Sequence, residues 1–314
     1  MGATQLLSTP ISWQIWESHA VIFSTEEGLK YPMADQDLQY GSFDGTSWSV
    51  AAPIPNSQTA AVPALAVFNS KLYCVHRGGN EAALDYLWYT SFDGTKWSTD
   101  TRIVPNRDSA GGPGLAVFNN KLYCVFRTSD DLNLRYMTFD GTSWSADAPI
   151  PNTQAAAEPA LAVFNSKLYC VHRGGNDGFL WYTSFDGTKW STDTPIAPNR
   201  YTAVGPGLAV FNNQLYCAFL PSDGPNLRYM TFDGISWSAD APIPNTYTAT
   251  TPALAVFNSK LYCVHRGGDN PTVCYTSFDG TKWIPDTPML PHRYTAAGLG
   301  LAVFNNQLYS AHRN

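Results

Sequence analysis

Charge is scarce in this 314-residue chain. Charged residues make up 14% of it, against 44% hydrophobic and 14% aromatic. The basic side is the poorer, with 19 Lys and Arg against 25 Asp and Glu and a formal charge of −6. A nucleic-acid partner held by phosphate neutralisation requires clustered excess cations, so the charge argues against that class. Long apolar runs are missing, and no segment reaches the length of a membrane-spanning helix. The opening MGATQLLSTPISWQ has neither a charged n-region nor an apolar h-region, and Leu6 stands where an acylation signal carries Ser or Thr. No segment repeats its apolar residues every 3.6 positions, which excludes a helical solenoid. CxxC, HExxH, a Gly-rich phosphate loop and a Ser-His-Asp spacing are all absent. Glutamate is rare (Glu17, Glu26, Glu27, Glu81, Glu158) and never repeats, so no carboxylate pair of the glycosidase kind stands out.

Cysteine is also sparing, and its placement is informative. Cys74, Cys124, Cys170, Cys217 and Cys263 recur at one position of successive repeats, with Ser310 in the last. Equivalent atoms of separate units lie beyond disulfide reach, so these thiols read as small buried filler rather than metal or redox groups. Unpaired cysteines and the missing signal agree on a reducing compartment, cytoplasmic or released without a signal. The chain is expected to be a monomer or weak dimer that folds without disulfides, metal or cofactor.

Repetition is what the chain has in abundance. PALAVFNSKLYCVHRGG occurs verbatim at Pro63–Gly79, Pro159–Gly175 and Pro252–Gly268. Variants lie between, PGLAVFNNKLYCVFR at Pro113–Arg127 and PGLAVFNNQLYCAFL at Pro206–Leu220. A second landmark, FDG followed by Trp, ends at Trp48, Trp97, Trp144, Trp190, Trp237 and Trp283, a period of 46 to 49 residues. A fixed period of this size marks one small unit copied around a ring or along a stack.

Within a unit, the wholly apolar LAVF (Leu161–Phe164) reads as a strand buried on both faces, and Asn165-Ser166 as a two-residue hairpin. KLYCVHR (Lys167–Arg173) returns as a second strand, and Gly174–Gly178 is a loop. FLWYTSF (Phe179–Phe185) is a third strand closed by Asp186-Gly187, and Lys189-Trp190-Ser191 opens a fourth. Twenty-four glycines and 22 prolines suit such short strands. Four antiparallel strands per repeat describe an all-β propeller, read here as a single domain over residues 1–314. Each Trp is expected to pack between neighbouring sheets with its indole N–H bonded to backbone.

The blade count has two solutions. The last unit, GLAVFNNQLYSAHR, has only two strands and needs two more from the start of the chain. Asp37–Ser49 (DLQYGSFDGTSWS) would supply them in a six-bladed ring, leaving residues 1–34 as an extension with Leu6, Leu7, Trp13, Trp16 and Phe23 unburied. Alternatively HAVIF (His19–Phe23) is a decayed inner strand, Leu29-Lys30-Tyr31 a decayed second one, and Thr4–Gln14 closes the last blade. This uses the whole chain, so seven blades is the favoured reading, with residues 1–16 closing the ring against Leu301–Arg313.

In an up-and-down blade the loops after strands two and four share one face. That face gathers His76-Arg77, His172-Arg173 and His265-Arg266, the crossing-loop Arg107, Arg200 and Arg293, and the aromatics Trp88, Tyr89, Trp181, Tyr182 and Tyr275. Aromatic planes beside guanidinium and amide donors suit a sugar, whose C–H face stacks while its hydroxyls are bonded. The third copy has Cys274 in place of Trp, so its pocket should be the weakest. The plainer reading pairs each Arg with a nearby acceptor and packs each His at a strand end. The three histidines belong to alternate blades, which argues against a shared metal.

SFDGTKW (Ser91–Trp97, Ser184–Trp190, Ser277–Trp283) is similar to the Asp-box of sialidases with one residue fewer, and in that family the box is a structural hairpin. The repeated apolar strand, D-G turn and Trp together resemble the β-propeller lectins of fungi and bacteria, of tectonin and Photorhabdus type, in architecture over residues ~35–314. That resemblance implies multivalent binding of glycans or glycoproteins in pockets between blades, without catalysis. The other readings are a sialidase-like glycoside hydrolase, which unique carboxylates breaking the repeat would favour, and a protein-interaction propeller, which would show one non-repeating apolar patch.

Overall fold

The computed structural model describes residues 36–79, 85–104, 108–130, 132–196, 200–291 and 293–314. Among them, 24 strands form six four-stranded antiparallel sheets. Blade one comprises Ala64–Phe68, Lys71–Arg77, Leu87–Phe92 and Thr101–Arg102. Blades two to five follow in chain order, starting at Gly114, Ala160, Gly207 and Ala253. The apolar first strands lie side by side, and the sixth, Leu299–Phe304, returns to the first, which closes a propeller.

Local chemistry explains each corner. The inner hairpin turns on two residues of positive φ, Asn69 at 46° and Ser70 at 58°, the twist that a two-residue turn requires. At the outer turn Asp93 Oδ1 accepts the amides of Thr95 (2.8 Å) and Lys96 (2.9 Å) while Gly94 sits at φ 103°. The Thr95 hydroxyl, then the Lys96 and Thr95 amides, hold the Asp93 carboxyl down at about 2. A Cβ on Gly94 would lie 3.0 Å from the Asn305 amide of the neighbouring blade, so this glycine also seats one blade's outer turn on the preceding blade's inner turn.

The six tryptophans do lie between sheets. Trp144 packs on Phe139 of its own hairpin (5.1 Å between centroids) and on Tyr89 of the preceding blade (5.7 Å). Trp97 on Tyr40, Trp190 on Tyr136, Trp237 on Tyr182 and Trp283 on Tyr229 repeat the contact at 5.2–5.7 Å. Each such ring pair contributes on the order of 1 kcal/mol beyond its buried area. The expected indole-to-backbone bond is not found. The buried indole nitrogens of Trp48, Trp97, Trp144, Trp190, Trp237 and Trp283 have no partner among the described residues, so each residue is seated by ring packing and by its backbone bridge to the phenylalanine of its hairpin.

The ring has six blades, not seven. Asp37–Phe43 pairs with Gln307–Arg313 from Leu38↔Arg313 to Phe43↔Leu308, and Ala52–Gln58 adds the outer strand. The closing blade is therefore complete without Thr4–Gln14, and HAVIF lies outside the described residues. The reason is visible in DLQYGSF: its burial follows the same alternation as NLRYMTF at Asn133–Phe139, with Leu38 and Phe43 in the core. Blades one, three and five carry a two-residue outer strand, whereas two, four and six carry a seven-residue one.

A chain starting at Val62 loses both outer strands of blade six and bares Gln307–Arg313 as an edge. It should aggregate or associate through that edge in sedimentation; a monomer melting at the parent's temperature would contradict six-bladed closure.

Candidate functional site

The even blades end in a strand that is bent by design. APIPNSQ, APIPNTQ and APIPNTY each bulge at an asparagine of positive φ, Asn56 (55°), Asn152 (59°) and Asn245 (60°). The next hydroxyl bonds back across the bulge, Ser57 to Ile54 O (2.7 Å), Thr153 to Ile150 O (2.7 Å) and Thr246 to Ile243 O (2.8 Å). Ile54, Ile150 and Ile243 are thereby held in the core, and the asparagine and the residue two further on are turned towards the following odd blade.

A groove results where the even blade meets the odd one. Between blades six and one, a cavity of about 650 Å³ is lined by Asn56, Gln58, Gly78, Gly79, Trp88, His76, Asp37 and Asp100. Between blades two and three, one of about 260 Å³ is lined by Asn152, Gln154, Gly174, Gly175, Trp181, Asp177 and Asp193. One wall is a half-buried indole, the floor is a glycine pair, and the other wall offers amides. Trp181 Nε1 donates to Asp177 (3.0 Å), and Gln58 Nε2 donates to Asp37 (3.0 Å).

The His-Arg pairs do not share a pocket. Neighbouring residues of a strand face opposite sides of the sheet. His76, His172 and His265 are buried, and each donates from Nε2 to its own aspartate, Asp100 (3.1 Å), Asp193 (3.1 Å) and Asp286 (3.0 Å). Three separate partners leave no shared site for the three imidazoles. The arginines serve the opposite side. Arg173 Nε donates to Thr202 O (2.7 Å), Arg266 Nε to Thr295 O (3.0 Å), and Arg77 pairs with Asp85, so all three brace backbone or loop rather than line the two grooves. Tyr89, Tyr182 and Tyr275 likewise face away from Trp88, Trp181 and Cys274 and meet Trp144, Trp237 and Trp48 in the blade interfaces.

The crossing-loop arginines divide three ways. Arg107 lies outside the described residues. Arg200 joins Arg228 on the buried carboxylate of Asp240 and lines a separate 350 Å³ cavity with Tyr201, Ser222 and Asp223. Arg293 is 3% exposed and structural. Its guanidinium lies over Trp48 (5.2 Å), donates to Ser310 Oγ (3.0 Å) and to Ser49 O, and occupies space that a Cβ on Gly41 would need. Met137 and Met230 stand at the position of Gly41, and Cys124 and Cys217 at that of Ser310. The closing blade thus exchanges a methionine and a thiol for an arginine. Burial lowers Arg293 to about 10. Burial, then the Arg293 charge, lowers the neighbouring His312 to about 3.

The ring axis opens into a further cavity of about 330 Å³, lined by alanines and glycines with Arg127 and Glu158. Glu158 accepts from the Thr251 hydroxyl (3.4 Å) and is the one carboxylate of that lining. Asn56, Gln58, Asn152, Gln154, Asp100 and Asp193 went unnoticed in the sequence; the thrice-repeated PIPN and the Asp in STDT were the signals for them.

No family model matches the chain, and no curated protein sequence does either. Solved structures are similar in fold. Aleuria aurantia lectin in complex with Fucalpha1-6GlcNAc is 11% identical, with a TM-score of 0.59 over 80% of this chain and 87% of that one. Another structure of that lectin, described as a six-bladed β-propeller with a novel fucose recognition mode, is 13% identical with a TM-score of 0.56 over 80% and 85%. Zg3597, a family 117 glycoside hydrolase of Zobellia galactanivorans, is 13% identical with a TM-score of 0.50 over 74% and 85%. The chain has the architecture of fungal lectin propellers.

His312 gives a pH test of the closing interface. Its folded value near 3 lies below the ordinary 6.5, so the unfolded chain takes up a proton that the folded one refuses. Stability should therefore fall on acidification from 6.5 towards 3, by about 1.4 kcal/mol per pH unit for one proton. His312→Phe, copying Phe126 and Phe219, should remove one proton's slope between about pH 6 and 4.5. Parallel curves in urea titrations of the two proteins would refute this.

Proposed function

We propose that the protein is a non-catalytic carbohydrate-binding protein that takes sugars in the grooves between blades six and one and between blades two and three. The observation that carries this reading is the repeated pairing of a half-buried indole, Trp88 or Trp181, with an amide wall and a glycine floor. An indole face covers the apolar side of a pyranose, and glycines let its hydroxyls approach backbone. The linings hold aspartates and no Lys or Arg, so the ligand is a neutral or amino sugar rather than a sulfated or sialylated one. Two weak sites on one rigid face gain strength on a glycan-coated surface through linkage alone. The fucose complex of the similarly folded Aleuria lectin supports a sugar ligand for this architecture.

The glycoside hydrolase similarity leaves an enzyme as the competing reading. Against it, the axial cavity has Glu158 without a second carboxylate in its lining, and hydrolysis by an acid–base pair needs two. In the grooves Asp100 and Asp193 are committed to imidazoles, and the other carboxylate comes from unlike positions, Asp37 in one and Asp177 in the other.

A glycan array followed by hydrolysis assays on each hit tests both readings. Neutral glycans should bind and remain intact; released reducing sugar would establish an enzyme. Replacing Trp88 or Trp181 with Ala should weaken binding to a glycan-coated surface, and replacing both should lower avidity by about 100-fold or more, since the multivalent gain disappears. Parental avidity in the folded double variant would remove the grooves from the reading.

A further inference from the structure

The groove between blades four and five departs from its two relatives on both walls. Cys274 stands where Trp88 and Trp181 stand, opposite His265 in the same strand register as those residues opposite His76 and His172. On the facing strand, Tyr247 stands where Gln58 and Gln154 stand. Gly268 is the third copy of Gly79 and Gly175, which line the other two cavities. The place of a Cβ on Gly79 lies 2.6 Å from Gln36 Oε1 and 2.9 Å from the Gln58 stem, and that on Gly175 lies 2.9 Å from Leu132 Cδ1 and 3.4 Å from the Gln154 stem, and no ring lies over either. Over Gly268 the Tyr247 ring itself lies so close that a Cβ there would overlap Cδ1 and Cε1. The ring therefore rests on the floor that a sugar would use, and only glycine permits that approach.

We propose that Tyr247 closes this third groove, so the protein carries two sugar sites of this class instead of three. The proposal rests on the carbohydrate reading of the other two grooves. Their bulge, imidazole–carboxylate pair and glycines all persist here, through Asn245, His265 with Asp286, and Gly267-Gly268. The scaffold is intact; besides the lost indole and the added phenol, Pro225 stands where Gln36 and Leu132 stand and Asn270 where Asp177 stands. Two substitutions should then be sufficient to open it.

The experiment is calorimetric titration with the methyl glycosides of fucose, galactose, mannose, glucose and N-acetylglucosamine. Trp88→Ala with Trp181→Ala should weaken the glycoside that the parent binds by at least about tenfold, or 1.4 kcal/mol. Adding Tyr247→Gln and Cys274→Trp to that variant should restore one site per chain, and adding them to the parent should raise its stoichiometry by one. Three equivalent sites in the parent, or a restored variant that keeps its near-ultraviolet circular dichroism yet gains no site, would overturn the closure. A sugar-independent arm reads the cover directly. Cys274 is half-buried, with its thiol raised to about 11 by burial, while the other five cysteines are fully buried. Iodoacetamide should alkylate Cys274 several-fold faster in Tyr247→Gln, and an unchanged rate would show that the ring on Gly268 leaves the Cys274 wall open, which overturns the closure. If no glycoside binds the parent while this rate still rises, the carbohydrate reading fails and the closed groove stands.

Discussion

Every blade has to satisfy two neighbours with one sheet, and the alternation of side chains along its strands decides which residue serves which neighbour. In strand three of blade one, Tyr89 turns towards blade two and packs on Trp144, so Trp88 must turn back towards blade six. In strand two the same rule sends His76 to the groove side with Asp100 and Arg77 to the other. Each single-residue step along the chain is a step from one interface to the next. The propeller's packing and its candidate sites are two faces of one set of strands.

Odd and even blades solve this problem differently, and the grooves are the consequence. An even blade has a long outer strand, bulged at Asn56, Asn152 or Asn245, whereas an odd blade ends in two paired residues. On the side to which the bulge turns that strand's asparagine and glutamine, towards the following odd blade, the sheets do not match along their outer length and a gap opens. The inner strands and the Trp–Tyr contacts keep the gap rigid from below. Blade six meets a further demand, because its halves come from opposite ends of the described chain. There Gly41 and Ser310 make room for Arg293, a cation with no carboxylate partner among the described residues. A hairpin carrying methionine at Gly41's position, as in Asn133–Phe139, would collide with that guanidinium. The buried arginine therefore favours one closing hairpin over near-identical ones in the same chain, at a cost in desolvation.

Most of the fold was legible because its determinants are local. Asn-Ser and Asp-Gly turns, the apolar LAVF and the Trp spacing each report one hairpin, and a fixed period assembles them into a propeller. The blade count was not, because apolar residues before Gln36 supply a plausible strand pattern that pairing does not need. Closure is decided by a contact between Asp37–Phe43 and Gln307–Arg313, some 270 residues apart, which no local pattern reports. The candidate site was half legible for the same reason. Trp88 and Trp181 are conspicuous, but the aspartates come from segments that read as passage between units. The verbatim VHRGG drew attention to a pair of side chains that the pleat separates.

The repeat also explains how valence can change without the fold changing. Groove walls come from different blades, so one substitution on each side alters a site while every inner strand, turn and Trp contact stays as it was. Tyr247 and Cys274 show this in one copy of three, where His265, Asp286 and both glycines keep their places. Copying secures the scaffold because all copies share the packing residues, Leu72, Leu168 and Leu261 among them, each fully buried. The residues free to vary are those facing the gap, where the sheets fail to meet. Identity among repeats therefore records shared packing and shared groove residues alike, and the positions at which otherwise verbatim copies diverge mark where one groove differs from another.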